Sequence, residues 1–318
     1  MTRLLAGIDL GTNTVRVLVA AADPATGLVP LWADQAVTRL GEGLAARGTL
    51  ATHAVERTLA AVRRYRDRAR ALGAREVLLV ATAAARQARD RSAFLARLQA
   101  ESDIRPRVVS GEEEAELTLL GASWGLGAAG GTFALLDIGG GSTEFVVAEA
   151  GRTLAAVSLR LGVVQLVERF FRSDPIQPSE LAACRAYVDA CFREEAWSRI
   201  GAVRPARLVA TAGTPATLAV LDLGLSTYEP ARVHGHRLTA DVIARLTADL
   251  ARMPVAERAR LPGLEPGRAD VIVPGAVVLA AALAGLGLSE TTVSDAGLRE
   301  GILLAAVGWL PESARQDE

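Results

Sequence analysis

Two stretches of the chain share one pattern, and this pattern decides the fold. The first is GIDLGTNTVRVLV at residues 7–19, and the second is LLDIGGGSTEFVV at residues 135–147. Each reads as an apolar strand ending near an aspartate, a short loop of glycine and small polar residues, and a second β-rich strand. Asp9 and Asp137 therefore occupy equivalent points, and their separation of about one domain length predicts two related domains rather than a repeat array.

Helical and extended patterns alternate along the rest of the chain. Residues 52–72 have the apolar spacing of a helix, residues 76–82 (EVLLVAT) read as a buried strand, and the same alternation continues after residue 150. It predicts an α/β fold with parallel strands joined by crossover helices. The glycine-rich stretch at residues 121–131 is the predicted domain boundary.

The composition excludes several classes of enzyme. All 35 basic side chains are arginine, and lysine is absent. A P-loop NTPase, a protein kinase and an enzyme with a Schiff-base amine each require a lysine. Arginine, in contrast, forms forked hydrogen bonds with phosphate and carboxylate oxygens. The composition thus permits oxyanion binding and forbids amine nucleophiles.

The remaining totals favour a protein of the cytoplasm that binds neither nucleic acid nor membrane. The net charge is −1, and no secretory signal is visible at the N-terminus. Residues 271–288 are apolar but short and contain Pro274, so we predict a buried core helix. Cys184 and Cys191 share a helix face, and the H-x-H of His234 and His236 lacks further metal ligands, so both pairs are interpreted as structural.

The glycine loop in DIGGGSTE is a candidate phosphate site. Three consecutive glycines let backbone N–H groups converge on an anion, although a plain tight hairpin also uses glycine. The similar loop at residues 9–14 favours the phosphate interpretation. Asp137, at the end of a strand, is placed to hold a divalent cation, with help from Glu144. The predicted binding residues are Thr12, Asn13, Thr14, Gly139, Gly140, Gly141, Ser142 and Thr143.

An acidic cluster, SGEEEAEL, starts at Ser110. Ser110 and Glu113 fit the capping box S-x-x-E, and early acids favour the positive end of a helix, so most of the cluster has a structural interpretation. Glu114 differs, because it shares a helix face with Leu117 and Thr118, a face expected to turn inward. The periodicity alone does not select a catalytic residue from this cluster.

Seven stretches of the chain, in order, resemble the exopolyphosphatase / guanosine pentaphosphate phosphohydrolase (Ppx/GppA) family, in its short form, within the actin, hexokinase and heat-shock-70 superfamily. The departures are mild: Thr12 and Thr14 stand where serine is frequent, and Ala210 and Ala212 where glycine and serine are common. The stretches are GIDLGTNTVR (7–16), ATAAARQA (81–88), SGEEEA (110–115), DIGGGSTE (137–144), ATAGT (210–214), RADVIVPGA (268–276) and VSDAGLREG (293–301).

The resemblance implies a fold and a set of roles. It implies two tandem actin-like, ribonuclease H-like domains at residues 1–124 and 125–297 with a cleft between them. A last helix within residues 298–318 would cross back onto the first domain. It makes Glu114 the catalytic base and moves Arg86, and more weakly Arg16 and Arg268, to the substrate. It also implies a homodimer.

The sequence therefore predicts a hydrolase that removes the terminal phosphate of inorganic polyphosphate. Mg²⁺, or another divalent cation, would be held by Asp137 and Glu144, with Asp9 as a partner across the cleft. Hydrolysis of guanosine pentaphosphate (pppGpp) by the same site is the nearest alternative. An ATP-dependent kinase of the same fold and a sensor that binds polyphosphate without cleaving it are further alternatives. The short form implies that shorter polyphosphate is handled relatively better.

Overall fold

The computed structural model describes residues 2–127, 131–149, 151–201 and 203–311. The chain forms two compact units, one of residues 1–128 together with 296–318, and one of residues 129–295. The strands of the first unit are β1 (Arg3–Leu10), β2 (Thr14–Asp23), β3 (Gly27–Val37), β4 (Glu76–Ala81) and β5 (Pro106–Val108). Its helices are α1 (Leu44–Arg47), α2 (Thr52–Ala71), α3 (Ala83–Gln87), α4 (Arg91–Ser102), α5 (Gly111–Leu126) and the C-terminal helix (Leu298–Val307).

The sheet of the first unit has the strand order β3-β2-β1-β4-β5. The first three strands form an antiparallel meander, whereas β4 pairs parallel to β1 and β5 parallel to β4. Both parallel pairs are reached through helices, as the geometry of parallel pairing requires. The ends of β1 and β4 therefore lie side by side at one edge of the sheet.

Apolar side chains cover this sheet on both faces. On one face, Ile8 and Val17 pack with Leu59 and Leu98 of α2 and α4. On the other, side chains of β1 and β2 pack with the C-terminal helix, including Leu303. Because both faces are covered, β1 and β2 are mostly buried, which agrees with their aliphatic composition, whereas the edge strand β3 is largely exposed.

Glycine permits the close contact of α5 with the C-terminal helix. A Cβ atom on Gly121 would lie 1.9 Å from the carbonyl oxygen of Gly297, and one on Gly301 would lie 1.8 Å from that of Leu117. Gly121, the first residue of the predicted boundary stretch, thus packs one helix against another. Gly121 lies inside a helix that continues to Leu126, and residues 128–130 of the predicted boundary lie outside the described residues.

The second unit repeats the strand plan of the first. Its strands are β6 (Thr132–Ile138), β7 (Thr143–Glu149), β8 (Arg152–Leu159), β9 (Leu208–Thr211), β10 (Arg237–Thr239) and β11 (Glu290–Ser294). The order is β10-β11-β9-β6-β7-β8. Strands β6 to β8 form an antiparallel meander, and β9 and β11 continue the sheet in parallel from β6.

The helices of the second unit surround a central apolar helix. They are α6 (Val163–Phe170), α7 (Pro178–Cys191), α8 (Ser198–Ile200), α9 (Gly213–Asp222), α10 (Pro230–Val233), α11 (Ala240–Arg252), α12 (Val255–Arg258) and α13 (Ile272–Leu286). Helix α13 is buried among α7, α9 and α11, as predicted for this apolar stretch. Within the described residues, no helix combines the length and the apolar character needed to cross a membrane.

The predicted α/β class is confirmed, but the prediction of parallel strands holds only for part of each sheet. The loops at residues 11–13 and 139–142 are too short for a crossover helix, so each of them joins antiparallel strands. Helix α7 does not end in a loop, because a π-helical segment (Phe192–Trp197) follows it directly. That segment brings Phe192 and Trp197 into a stack with ring centroids 5.1 Å apart.

Candidate functional site

The first loop joins β1 to β2 and is held by its backbone. The N–H of Gly11 donates to the carbonyl of Thr14 at 3.1 Å. A Cβ atom on Gly11 would lie 2.9 Å from that oxygen, so the tight turn requires glycine. Thr12, Asn13 and Thr14 are all buried. The N–H groups of Thr12 and Asn13 donate to no group within the described residues.

A segment that the sequence analysis did not select, residues 38–41, fixes this loop from outside. The N–H groups of Thr38 and Arg39 donate to the carbonyl of Asn13 at 3.0 and 2.9 Å, and that of Gly41 donates to the carbonyl of Thr12 at 2.9 Å. Arg39 has a φ of 52°, which is uncommon for a residue with a side chain. No motif marks this turn, so the pattern of the sequence could not reveal it.

The side-chain oxygens of the first loop are available for a ligand. Thr12 Oγ1 and Asn13 Oδ1 are buried and have no hydrogen-bond partner in the part of the chain that the structure describes. A buried polar atom without a partner costs about 1–3 kcal/mol, and such atoms concentrate where a ligand or ordered water binds. Together with the unused N–H groups, they form a small polar cradle.

The second loop, between β6 and β7, has the same backbone geometry. The N–H of Gly139 donates to the carbonyl of Ser142 at 3.0 Å, and a Cβ atom on Gly139 would lie 2.9 Å from that oxygen. The carbonyls of Gly139 and Gly140 accept from the first N–H groups of α6, those of Val163 and Val164. With its carbonyls engaged, the loop keeps the N–H groups of residues 140–142 without a protein partner among the described residues, as an anion site requires.

Thr143 behaves differently from the other predicted phosphate residues. Its hydroxyl donates to the carbonyl of Leu161 at 2.8 Å, and the side chain is completely buried. That hydroxyl is therefore committed to holding the loop against the segment that precedes α6. We expect Thr143 to support the loop rather than to contact a phosphate.

Asp137 and Glu144 stand directly opposite each other on β6 and β7. Residues opposite each other in an antiparallel ladder project to the same face, and two like charges there are destabilising. Both side chains are buried, and Glu144 also accepts a hydrogen bond from Ser158 at 2.7 Å. Such a pair suits a divalent cation that balances the two charges.

The two carboxylates fit Mg²⁺ better than a metal ion that takes all of its ligands from the protein. Within residues 2–127, 131–149, 151–201 and 203–311, no group of three or more His, Cys, Asp or Glu side chains forms a metal cluster. Mg²⁺ commonly binds through one or two carboxylates, with water and substrate phosphate completing its shell. Asp9 lies in the first unit, where it pairs in register with Arg16.

The acidic cluster divides as its helical spacing predicted. The hydroxyl of Ser110 accepts from the N–H of Glu113 at 3.1 Å and caps α5. Glu113 pairs with Arg107 at 2.8 Å, and Glu116 is exposed. Glu114 alone among the four glutamates is buried, with 7% of its surface exposed. The helix therefore turns this carboxylate inward, as its shared face with Leu117 implied.

Arg86 meets Glu114 at the ends of β4 and β5. Helix α3 begins directly after β4, and it places the Arg86 guanidinium against the start of α5. Nη1 of Arg86 donates to the carbonyl of Val109 at 2.7 Å and to Oε2 of Glu114 at 3.1 Å. A charged donor is thus fixed next to a buried carboxylate.

The two other predicted arginines differ in their surroundings. Arg16 is half-buried on β2, where its backbone pairs with Asp9 and Gln35, and its guanidinium makes no hydrogen bond or ion pair with any described residue. Arg268 is buried, and its Nε donates to Glu265 at 2.8 Å. Arg16 therefore has its whole guanidinium available for an oxyanion, whereas part of Arg268 is committed to Glu265.

The stretch ATAGT (residues 210–214) forms the tight turn from β9 into α9 in the second unit. Thr211 pairs in register with Asp137, so the turn begins beside the carboxylate pair. Ala212 has φ 75° and ψ −162°, a conformation that is essentially confined to glycine. The sequence placed this stretch among the family motifs, but the strain at Ala212 appears only in the structure.

A profile of the Ppx/GppA phosphatase family matches residues 18–309. The chain belongs to this family. It is 35% identical to a protein of Mycobacterium tuberculosis named exopolyphosphatase 2, over 97% of this chain and 99% of that protein. It is 29% identical to exopolyphosphatase 1 of Mycobacterium leprae, over 93% of this chain and 87% of that protein.

Solved structures of Ppx/GppA proteins share the fold. An exopolyphosphatase-like protein is similar with a TM-score of 0.90 and 30% identity, over 96% of this chain and 98% of its own. An exopolyphosphatase from Cytophaga hutchinsonii has a TM-score of 0.88 and 25% identity over the same shares. The Aquifex aeolicus member of the family has a TM-score of 0.81 and 28% identity, again with coverage of 96% and 98%.

Proposed function

We propose that this Ppx/GppA protein is an exopolyphosphatase that hydrolyses the terminal phosphoanhydride bond of inorganic polyphosphate and releases orthophosphate. The observation that carries the proposal is the buried carboxylate of Glu114, which lies 3.1 Å from Arg86 in the unit that also contains the Thr12–Asn13 cradle. A buried base beside a fixed cation and unused N–H donors suits attack by water on a phosphoryl group. The names of the relatives support the same substrate.

The residues of the first unit have distinct roles in this reaction. Glu114 accepts a proton from a water molecule whose oxygen attacks the terminal phosphorus. The bond between that phosphorus and its bridging oxygen breaks, and the shortened chain leaves with the bridging oxygen. Arg86 offsets the negative charge of the phosphoryl oxygens. The N–H groups of Thr12 and Asn13 bind those oxygens, and Arg16 adds a second guanidinium.

The second unit supplies the other phosphate loop and the cation site. The N–H groups of residues 140–142 bind phosphoryl oxygens, and Arg268 adds positive charge. Asp137 and Glu144 would hold Mg²⁺ or another divalent cation, with Asp9 of the first unit as a further ligand. When bound, the cation neutralises charge on the phosphates.

The cell location and the oligomeric state belong to the proposal as well. We propose a cytoplasmic location and, from the resemblance to the family, a homodimer. Cell fractionation and analytical ultracentrifugation of the purified protein test these two points directly.

Phosphate release from two substrates tests the proposed function. The purified protein is assayed with polyphosphate and with pppGpp at equal concentrations of terminal phosphate, with Mg²⁺ or with excess chelator. We expect rapid, Mg²⁺-dependent release from polyphosphate and a lower kcat/KM for pppGpp. Release from pppGpp alone would assign the site to the nucleotide, and binding of polyphosphate without release would make the protein a sensor.

A further inference from the structure

Two arginine side chains fold back onto the backbone beside the first phosphate loop. Helix α1 lies between Gly43 and Gly48, whose φ values are 63° and 72°. A Cβ atom on Gly43 would lie 2.2 Å from Nη1 of Arg47, and one on Gly48 would lie 2.6 Å from Nε of Arg89. The two glycines thus leave room for both guanidiniums, which we name the distal arginine pair.

The distal arginine pair is bonded to backbone carbonyls only. Arg47 donates to the carbonyl of Glu42, and Arg89 donates to the carbonyl of Arg47 at 2.6 Å and to that of Gly48 at 3.4 Å. Within the described residues, neither guanidinium forms an ion pair with a carboxylate. A guanidinium is a cation, so two neighbouring positive charges have no carboxylate partner among the described residues.

The acids closest in sequence are engaged with other groups. The carboxylate of Glu42 contacts His53 and accepts from Arg57 at 2.8 Å. The carboxylate of Asp90 accepts from the N–H of Leu50 at 3.2 and 3.3 Å. These contacts leave the positive charge of the pair exposed, since both arginines lie at the surface.

Hydrogen bonds connect the pair to the proposed site within the same unit. The segment that ends at Gly48 is bonded at its other end to the first loop, through the N–H of Gly41 and the carbonyl of Thr12. Arg89 follows α3, the helix that carries Arg86, after one residue. Arg89 is therefore the next arginine along the chain after Arg86, and Arg47 lies in the segment that is hydrogen-bonded to the first loop.

We propose that Arg47 and Arg89 bind phosphates of the polyphosphate chain beyond the one being removed. This inference rests on the proposed function, because it extends the same substrate. Each inner phosphate of the chain presents anionic oxygens, and a guanidinium binds two of them through parallel N–H bonds. The backbone carbonyls orient both guanidiniums in advance, so little side-chain freedom is lost when the chain binds.

The test compares a long and a short substrate in one variant. The double variant Arg47→Gln/Arg89→Gln is assayed with long-chain polyphosphate and with tripolyphosphate, over a range of salt concentrations. We expect the KM for the long chain to rise roughly tenfold with kcat unchanged, the size of one lost charge-assisted contact. The KM for tripolyphosphate should stay near that of the wild type. The slope of log affinity for the long chain against log salt concentration should become shallower by about one to two, the number of counterions no longer released.

Control variants separate the proposed role from total charge and from stability. Arg193→Gln/Arg199→Gln removes two exposed arginines of the second unit and should leave every kinetic constant unchanged. Arg47→Lys/Arg89→Lys keeps both charges and should recover most of the long-chain affinity. An equal rise in KM for tripolyphosphate, or an unchanged long-chain KM in the glutamine variant, would overturn the proposal.

Direct binding of fluorescently labelled long-chain polyphosphate separates this inference from the proposed function. A wild-type protein that releases no phosphate contradicts the proposed function. If that protein still binds the chain and the glutamine variant binds it about tenfold more weakly, the pair is a polyphosphate site. Equal binding by the wild type and the glutamine variant contradicts the proposed role of the distal arginine pair, whatever the rate of phosphate release.

Discussion

The guanidinium of Arg86 joins the carboxylate of Glu114 to the carbonyl of Val109, at 3.1 and 2.7 Å from one nitrogen atom. The side chain of Arg86 is 24% exposed and that of Glu114 is 9% exposed. Water therefore screens this pair less than it screens a surface pair. The contact fixes the base relative to the end of β4, so the chemistry proposed for Glu114 depends on Arg86.

Replacing Arg86 should weaken both binding and turnover. Arg86→Gln removes the positive charge that faces both the carboxylate of Glu114 and the substrate. We expect kcat/KM to fall by about 10²-fold or more. Arg86→Lys keeps the charge without the forked geometry, so its kcat/KM should lie between that of the wild type and that of Arg86→Gln. Steady-state phosphate release checks this, with exposed Arg105→Gln as the control that should not change. Unaltered kcat/KM in Arg86→Gln would remove Arg86 from the site.

Replacing Ala212 by glycine should stabilise the protein. The φ of 75° and ψ of −162° at Ala212 cost a side-chain-bearing residue about 1–3 kcal/mol. Glycine relieves this strain but adds freedom to the unfolded chain, so the expected net gain is about 1 kcal/mol, or roughly 2–4 °C in Tm. Ala216→Gly, within α9, should instead cost about 1 kcal/mol. Calorimetry that finds Ala212→Gly destabilising would show that the turn is not strained.

A methyl group at Gly301 should separate α5 from the C-terminal helix. The added Cβ would lie 1.8 Å from the carbonyl oxygen of Leu117, and a backbone atom cannot move aside alone. We expect Gly301→Ala to lower the free energy of unfolding by about 1–3 kcal/mol or more. Urea denaturation measures the change, with Ala305→Ser on an exposed position of the same helix as the matched control. Equal midpoints for the two variants would contradict this packing.

Cys184 should make stability fall at high pH. Burial raises the pKa of its thiol from the ordinary 9.0 to about 12. The unfolded chain loses this proton at lower pH than the folded chain, so the stabilisation is complete below about pH 9 and is lost as the pH rises toward 12. Between about pH 9 and pH 12, the free energy of unfolding should therefore fall more steeply in the wild type than in Cys184→Ala. The difference between the two slopes should be up to about 1.4 kcal/mol per pH unit. Identical slopes for the two proteins would show that the thiol ionises as readily in the folded state as in the unfolded chain.

The sequence predicted those features that depend on periodicity or on a repeated motif. The strands beside the two glycine loops, the inward turn of Glu114 and the cap at Ser110 follow from spacing that is visible in the sequence. The turn at Thr38–Gly41 and the conformation of Ala212 depend on hydrogen bonds between distant segments, and no local pattern encodes them. The sequence could not single out the distal arginine pair among 35 arginines. What sets the two side chains apart is that they bond to backbone carbonyls rather than to carboxylates, which only the structure shows.

The turnover of Glu114→Gln on polyphosphate tests the role of Glu114 as the base most directly. Glutamine keeps the shape of the side chain but cannot accept the proton of the attacking water. We predict that kcat falls by about 10²–10⁴-fold, while polyphosphate binding and Tm remain those of the wild type. The matched control, Glu116→Gln on the exposed face of α5, should keep full activity. A Glu114→Gln protein that releases phosphate at the wild-type rate would contradict the proposed mechanism.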